Sequence, residues 1–248
     1  FFLLLGFSAT TIAQGPVVKI NYMKVNPGMW DAYLEVEQQW KKIHQKKVEL
    51  GICTGWQLWR KLYNGTEDAY DFIAIDWYDD YPSSFESYPD DFADGLMTQE
   101  EIDKLMEMTN KSRNMVRQEM SYRIHVADDP EASSKYLVVS RMKVKEGKGK
   151  AYRELEEKIW KPLQEAAIEK GYMSHWGVWG VWPLHEGQGQ YVVVDGFESP
   201  EQMVGGEDLL SEIHPDMTWD EIIEKTSKAR YTQSVEMWEL VESVFPEE

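Results

Sequence analysis

The sequence predicts an α+β protein in which two βαββαβ units face each other and close an intramolecular barrel. Three observations lead there: the chain repeats itself, each copy carries the same order of strand and helix signals, and the aromatic load is heavy. The repeat is read directly. Met23-Lys24-Val25-Asn26-Pro27-Gly28 recurs 119 positions later as Met142-Lys143-Val144-Lys145-Glu146-Gly147. At the same spacing Tyr33 matches Tyr152 and Glu35 matches Glu154. After a one-residue insertion Trp40 matches Trp160, Gly51 matches Gly171, Trp56 matches Trp176 and Trp59 matches Trp179. Phe72-Ile73-Ala74-Ile75-Asp76 then answers Tyr191-Val192-Val193-Val194-Asp195, and Thr109–Arg113 answers Thr226–Arg230. These matches divide the chain into a first repeat at 17–127, a joining segment at 128–135 and a second repeat at 136–245.

Each element has its own signal. Val17–Val25 and Tyr136–Val144 are rich in β-branched residues and end in Pro-Gly or Glu-Gly, which suits strands. Between Met29 and Leu50, apolar residues recur at helical spacing, and Gly51 stands where a helix C-terminal glycine belongs, as Gly171 does in the second copy. Two aromatic strands follow, near Ile52–Leu62 with Tyr70–Tyr78 and near Tyr172–Trp182 with Gln190–Phe197. Thr98-Gln99-Glu100-Glu101 and Thr218-Trp219-Asp220-Glu221 are capping boxes that open a second helix. A last strand runs near Met115–Val126 and near Val235–Val244. The order β-α-β-β-α-β, twice, is the ferredoxin-like arrangement. Such a sheet carries helices on one face and leaves the other bare, so two of them can cover each other.

Composition narrows the function. The 248 residues carry 26 Lys+Arg against 44 Asp+Glu, a net charge of −18, so no basic footprint exists for a nucleic acid. With 42% apolar and 28% charged residues the chain is globular rather than disordered. The lone Cys53 excludes an intrachain disulfide and is expected to be buried and inert. Phe1–Phe7 is an apolar run followed by small and polar residues, which reads as the back half of a signal peptide over residues 1–13. The protein is therefore expected to be exported, periplasmic or secreted. No stretch approaches the roughly 20 apolar residues of a membrane span.

Val25-Asn26-Pro27-Gly28 at the first strand end and Asp76-Trp77-Tyr78-Asp79 at the third strand end carry a family resemblance. So does Asp195-Gly196-Phe197-Glu198-Ser199-Pro200-Glu201 in the second copy. The chain resembles the dimeric α+β-barrel superfamily, above all its antibiotic biosynthesis monooxygenase and EthD-like families. The resemblance implies a small-molecule site inside the barrel and an oxidation that uses neither metal nor cofactor. It also implies that Asn21, seven residues before Gly28, faces the substrate, with Ser140 at the matching place before Gly147. The haem-degrading branch needs a histidine on the second helix, and 101–112 and 221–228 contain none.

The candidate ligand-pocket residues are Asn21, Trp56, Ser140, His175, Trp179, Asp76, Asp195, Arg113 and Arg230. Strand alternation groups Asn21 with Lys19, Met23 and Val25, and Ser140 with Val138, Met142 and Val144. Asp76 and Asp195 could act as bases, but an Asp–Arg structural pairing with Arg113 and Arg230 is the better reading. His175 stands where the first copy has Gly55, among Trp176, Trp179 and Trp182, and is the most enzyme-like feature of the chain. Gly196 against Trp77 in the first copy suggests room for a ligand near the second half. The histidines show no metal-ligand spacing, and the acidic loop from Asp79 to Gly95 lacks calcium-loop spacing and reads as a solvated lid. Two readings follow. In one the barrel of a monomer or homodimer holds a small apolar or aromatic molecule, with monooxygenase-like chemistry. In the other it is a non-catalytic exported protein whose barrel is packed by its own Trp and Tyr side chains.

Overall fold

The computed structural model describes residues 15–86, 89, 92, 95–128, 134–182, 191–204 and 206–246. The expected signal peptide, most of the joining segment, His185 and part of the acidic loop lie outside the described residues. The chain runs β1 (Val17–Val25), α1 (Trp30–Glu49), β2 (Gly55–Lys61), β3 (Phe72–Tyr78), α2 (Gln99–Ser112) and β4 (Arg113–Asp128). It continues with β5 (Tyr136–Val144), α3 (Gly149–Leu155), a π turn at Glu156–Trp160, α4 (Lys161–Glu169), β6 (His175–Trp182) and β7 (Tyr191–Phe197). Short helices α5 (Pro200–Val204) and α6 (Leu210–Ile213) precede α7 (Trp219–Ala229) and β8 (Arg230–Val244).

The expected local signals have physical counterparts. Both capping boxes form: the Thr98 and Thr218 hydroxyls accept from the Glu101 and Glu221 amides, and each glutamate reaches back to its threonine. Gly51 and Gly171 take φ of +69° and +73°, the left-handed turn that ends α1 and α4. The one-residue shift between the matched segments falls on the π turn, where a helix takes up an extra residue in one wider turn. The strands β4 and β8 are longer than expected, because each starts at the residue directly after its helix.

Eight strands close into an antiparallel barrel in the order β1-β3-β2-β8-β5-β7-β6-β4. β1 lies between β3 and β4, and β5 between β7 and β8. Closure comes from β4 on β6, with Asp128 opposite His175, and from β2 on β8, with Trp56 opposite Val244. Helices cover the outside, so β1 and β5 are buried along both faces. Val18, Ile20 and Tyr22 face inward with Leu137 and Val139, and form one core cluster. Met23, Val25, Trp56, Leu58 and Phe72 face outward against Tyr33 of α1 and form another.

Cys53 is buried, and burial, aided by the nearby Asp76 charge, pushes its thiol up to about 11. It is an inert core residue. Trp56 is 1% exposed and stacks on the His44 ring at 4.7 Å. Its removal empties the layer between α1 and the sheet. Trp56→Ala is expected to cost about 3–5 kcal/mol in a urea titration. A loss below about 1 kcal/mol would mean that this layer collapses around the vacancy.

Candidate functional site

The barrel is hollow. A cavity of about 600 Å³ opens at the end where β1 and β5 begin, and its walls come from all eight strands. Val18, Ile20, Ile75, Val139, Val192 and Leu240 supply aliphatic wall, and Trp59, Trp77, Trp179 and Trp238 supply flat aromatic wall. Trp77 meets Trp179 edge to face at 5.5 Å, and the Trp77 indole donates to Gln57 at 3.1 Å. The mouth is polar, with Asp128, Ser134, Ser174, His175 and Ser243 around it and Phe245 across it.

The floor carries the buried charges. Arg141 donates to Glu119 at 2.6 Å and to the Tyr22 hydroxyl, which itself donates to Glu119. Arg117 lies over the Tyr22 ring at 3.8 Å and within 3.6 Å of Glu119, so two guanidinium groups share one carboxylate. Beside them Glu236 accepts from Tyr70 at 2.6 Å and from the Trp238 indole at 2.9 Å. Burial pushes Tyr22 well above the usual phenol range; it opposes the Arg141 charge too, but Tyr22 and Glu119 hold that guanidinium firmly protonated. A hydrogen-bonded charge cluster of this kind fixes geometry more than it adds stability.

Of the nine candidates, His175 and Trp179 line this cavity. The others lie in the layers between sheet and helices. Asn21 donates to Asp76 at 3.2 Å and accepts from Gln118 at 2.6 Å. Asp76 stands 3.2 Å from His44 Nδ1 rather than beside an arginine. Arg113 pairs with Glu37 at 3.2 Å, so the expected Asp76–Arg113 pair is replaced by a His44–Asp76 pair and an Arg113–Glu37 pair. Trp56 packs under α1, Ser140 is buried in β5 on the row opposite Leu137, Val139 and Arg141, and Arg230 bonds Thr232 at 2.7 Å. Asp195 makes no ion pair with another described residue, and Arg230 acts on Glu156 instead. The reason is strand parity. Both rows of β1 and β5 are buried, so alternation separates the two faces without telling which one looks inward.

Gly196 corrects a second expectation. A Cβ there would meet Ser134 Oγ at 2.3 Å and His175 Cβ at 2.8 Å, so the space belongs to the protein's own side chains rather than to a ligand. The site residues that sequence reasoning missed are Tyr22, Trp77 and Arg141. A signal existed: Arg141 interrupts the otherwise apolar row Leu137, Val139, and Tyr22 occupies the matching place after Val18 and Ile20.

No family model matches the chain, and no curated protein does. Solved structures do. A candidate monooxygenase from Lactobacillus acidophilus NCFM has 15% identity and a TM-score of 0.53, with 92% of this chain and 93% of that one covered. An anthrone oxidase-like protein has 10% identity and a TM-score of 0.51, with 94% of each chain covered. A candidate monooxygenase from Fusobacterium nucleatum subsp. nucleatum ATCC 25586 has 10% identity and a TM-score of 0.54, covering 93% of this chain and 94% of that one. At these identities the likeness is one of fold: the chain has the architecture of the dimeric α+β-barrel proteins. No helix among the described residues is long and apolar enough to cross a membrane. Among the described residues no group of three or more His, Cys, Asp or Glu could hold a metal ion, and α2 and α7 carry no histidine for a haem.

The helix layer over β5 to β8 holds two acids raised by burial, Asp195 and Glu156. Burial pushes the Asp195 carboxyl up to about 7. Burial does the same to Glu156, against the pull of Arg230 and Tyr152 and with the help of Asp195, to about 7. Both groups bind protons more tightly folded than unfolded, where they titrate near 4. Their contribution to stability is therefore complete below about pH 4 and lost as pH rises through about 7. Asp195→Asn with Glu156→Gln is expected to flatten the fall in Tm between pH 5 and pH 8. An unchanged slope in the double variant would assign that fall to other groups.

Proposed function

We propose that the barrel binds a flat, largely aromatic small molecule and oxidises it with molecular oxygen, as a monooxygenase does. The hollow interior carries this reading. An eight-stranded barrel of this kind can be filled by its own side chains or can hold one small ligand. Here four tryptophans stand around about 600 Å³ of space instead of filling it. That volume falls in the range of ligand sites, and a mostly apolar lining with a few placed polar groups is their usual composition. The monooxygenase and anthrone oxidase-like names of the structural neighbours favour the same chemistry. A ring CH₂ would become C=O, with one oxygen atom retained and the other leaving as water with the two hydrogens. Such a balance needs no external reductant.

We further read the chain as two fused ferredoxin-like units, 17–127 and 136–245, that supply both sheets of the barrel. The same strand neighbours on each side support it. We also propose that the protein is exported, a reading supported by the apolar run Phe1–Phe7. Protein recovered from the exported fraction should begin close to Gln14 by mass spectrometry, and a mature chain retaining Phe1–Phe7 would overturn this.

Anthrone tests the function. The protein is expected to bind it with a rise in Tm and to consume oxygen in step with anthraquinone formation, above the rate with heat-denatured protein. Binding without oxygen consumption would leave a binding protein. A Tm unmoved by any aromatic probe would return the barrel to a structural role.

A further inference from the structure

The inward row of β6 is His175, Gly177 and Trp179, and the bare position is the informative one. A Cβ at Gly177 would lie 2.9 Å from Trp179 Nε1 and 3.1 Å from His175 Nε2. The two ring nitrogens therefore stand no more than about 6 Å apart, close enough for one oxygen atom to bond both. Neither nitrogen makes a hydrogen bond to another described residue. An indole N–H can only donate, whereas an imidazole nitrogen donates or accepts according to its tautomer. Trp179 is 5% exposed as a whole and lines the cavity. The deficit extends across the cavity. Trp59 Nε1 and Ser121 Oγ are buried, line the same space and have no partner. A buried donor left unpaired is costly, and a plain hydrocarbon ligand cannot answer it.

We infer that the ligand carries an oxygen on its ring system, a carbonyl or an acidic hydroxyl, and that Trp179 and His175 hold it together above Gly177. This rests on the reading of the cavity as a ligand site and narrows it to oxygenated aromatics. Where the oxygen is an acidic hydroxyl, its O–H bond breaks and an Nε2–H bond forms on His175. The oxyanion is then held by the Trp179 N–H and the new imidazolium. Desolvation keeps free His175 neutral and able to accept, with Asp128 favouring the imidazolium and Arg123 opposing it. Gly177 is required because a methyl group there would press on both rings and part them.

The probes are 2-hydroxyanthraquinone, whose ionised form absorbs at longer wavelength, and anthracene, which has the same three rings and no oxygen. The full-length protein is expected to bind the hydroxyquinone at least about tenfold more tightly, a difference of about 1.4 kcal/mol. Bound probe should show the anion spectrum at a pH where free probe is neutral. Trp179→Phe keeps the ring and removes the donor, and Gly177→Ala parts the rings. Both should abolish the preference for the hydroxyquinone over anthracene. His175→Leu should lose the anion spectrum. Equal affinity for the two probes in the unmodified protein, or a preference that survives Trp179→Phe, overturns the inference while leaving the cavity a ligand site. Failure of both probes to bind overturns the cavity reading as well. Should Gly177→Ala fail to fold, the unmodified protein and Trp179→Phe still decide.

Discussion

Closure of the sheet is the constraint on which the rest of the structure depends. An open four-stranded sheet with helices on one side would leave its other face and two edges to solvent. Here β4 pairs with β6 and β2 with β8, so every strand has a neighbour on both sides. With helices outside and a cavity inside, both faces of most strands lie away from bulk water, although β4 and β8 begin exposed. A polar side chain on either face must then find its partner within the protein or in a ligand. Where each one finds it separates the structural groups from the candidate functional ones.

The outer face is settled internally, by different means on the two sides. Under α1, a chain of contacts runs from Gln118 through Asn21 and Asp76 to His44. Burial alone would raise the Asp76 carboxyl, but His44 together with the Lys47 and Lys19 charges holds the group below its usual range. Glu37, raised by burial, sits against Arg113 and the Tyr33 hydroxyl. On the other side Glu156 has Tyr152 and the more distant Arg230, and Asp195 has no counterpart of His44, because Gln164 stands at the matching place in α4. The difference is electrostatic rather than topological. One side keeps its acid ionised by supplying a partner, and the other holds its acids partly protonated near neutral pH.

Most of the fold could be read from the residues, since its signals are local. Capping boxes, C-terminal glycines and strand runs depend on neighbours a few positions away, and the matched segments gave each of them a second instance. The site was less legible. Alternation assigned Asn21 and Ser140 to a common face correctly, but the cavity lies on the other face, with Tyr22 and Arg141. Only the closed barrel decides which buried row looks inward. His175 and Trp179 were legible because an imidazole and an indole four residues apart in one strand share a face. Gly196 misled for a related reason. A missing side chain signals space, but the sequence could not tell that Ser134 and His175 fill it.

Within the cavity the same accounting separates floor from wall. Arg141, Glu119 and Tyr22 satisfy one another, and a guanidinium so placed cannot be neutralised to relieve a lost partner. Removing Arg141 would leave Glu119 with the Tyr22 hydroxyl and the longer Arg117 contact, without its shortest charged partner in a low-dielectric interior. The floor is therefore a rigid stop that sets how deep a ligand can go. The indoles of Trp59 and Trp179 have no such closure: the Trp59 N–H is buried without an acceptor, and the Trp179 N–H bonds no other described residue. Packing alone does not call for indole there, because phenylalanine would supply an aromatic wall without burying a donor. What the tryptophans add is the unpaired N–H, and its natural complement is an acceptor that comes from outside the chain.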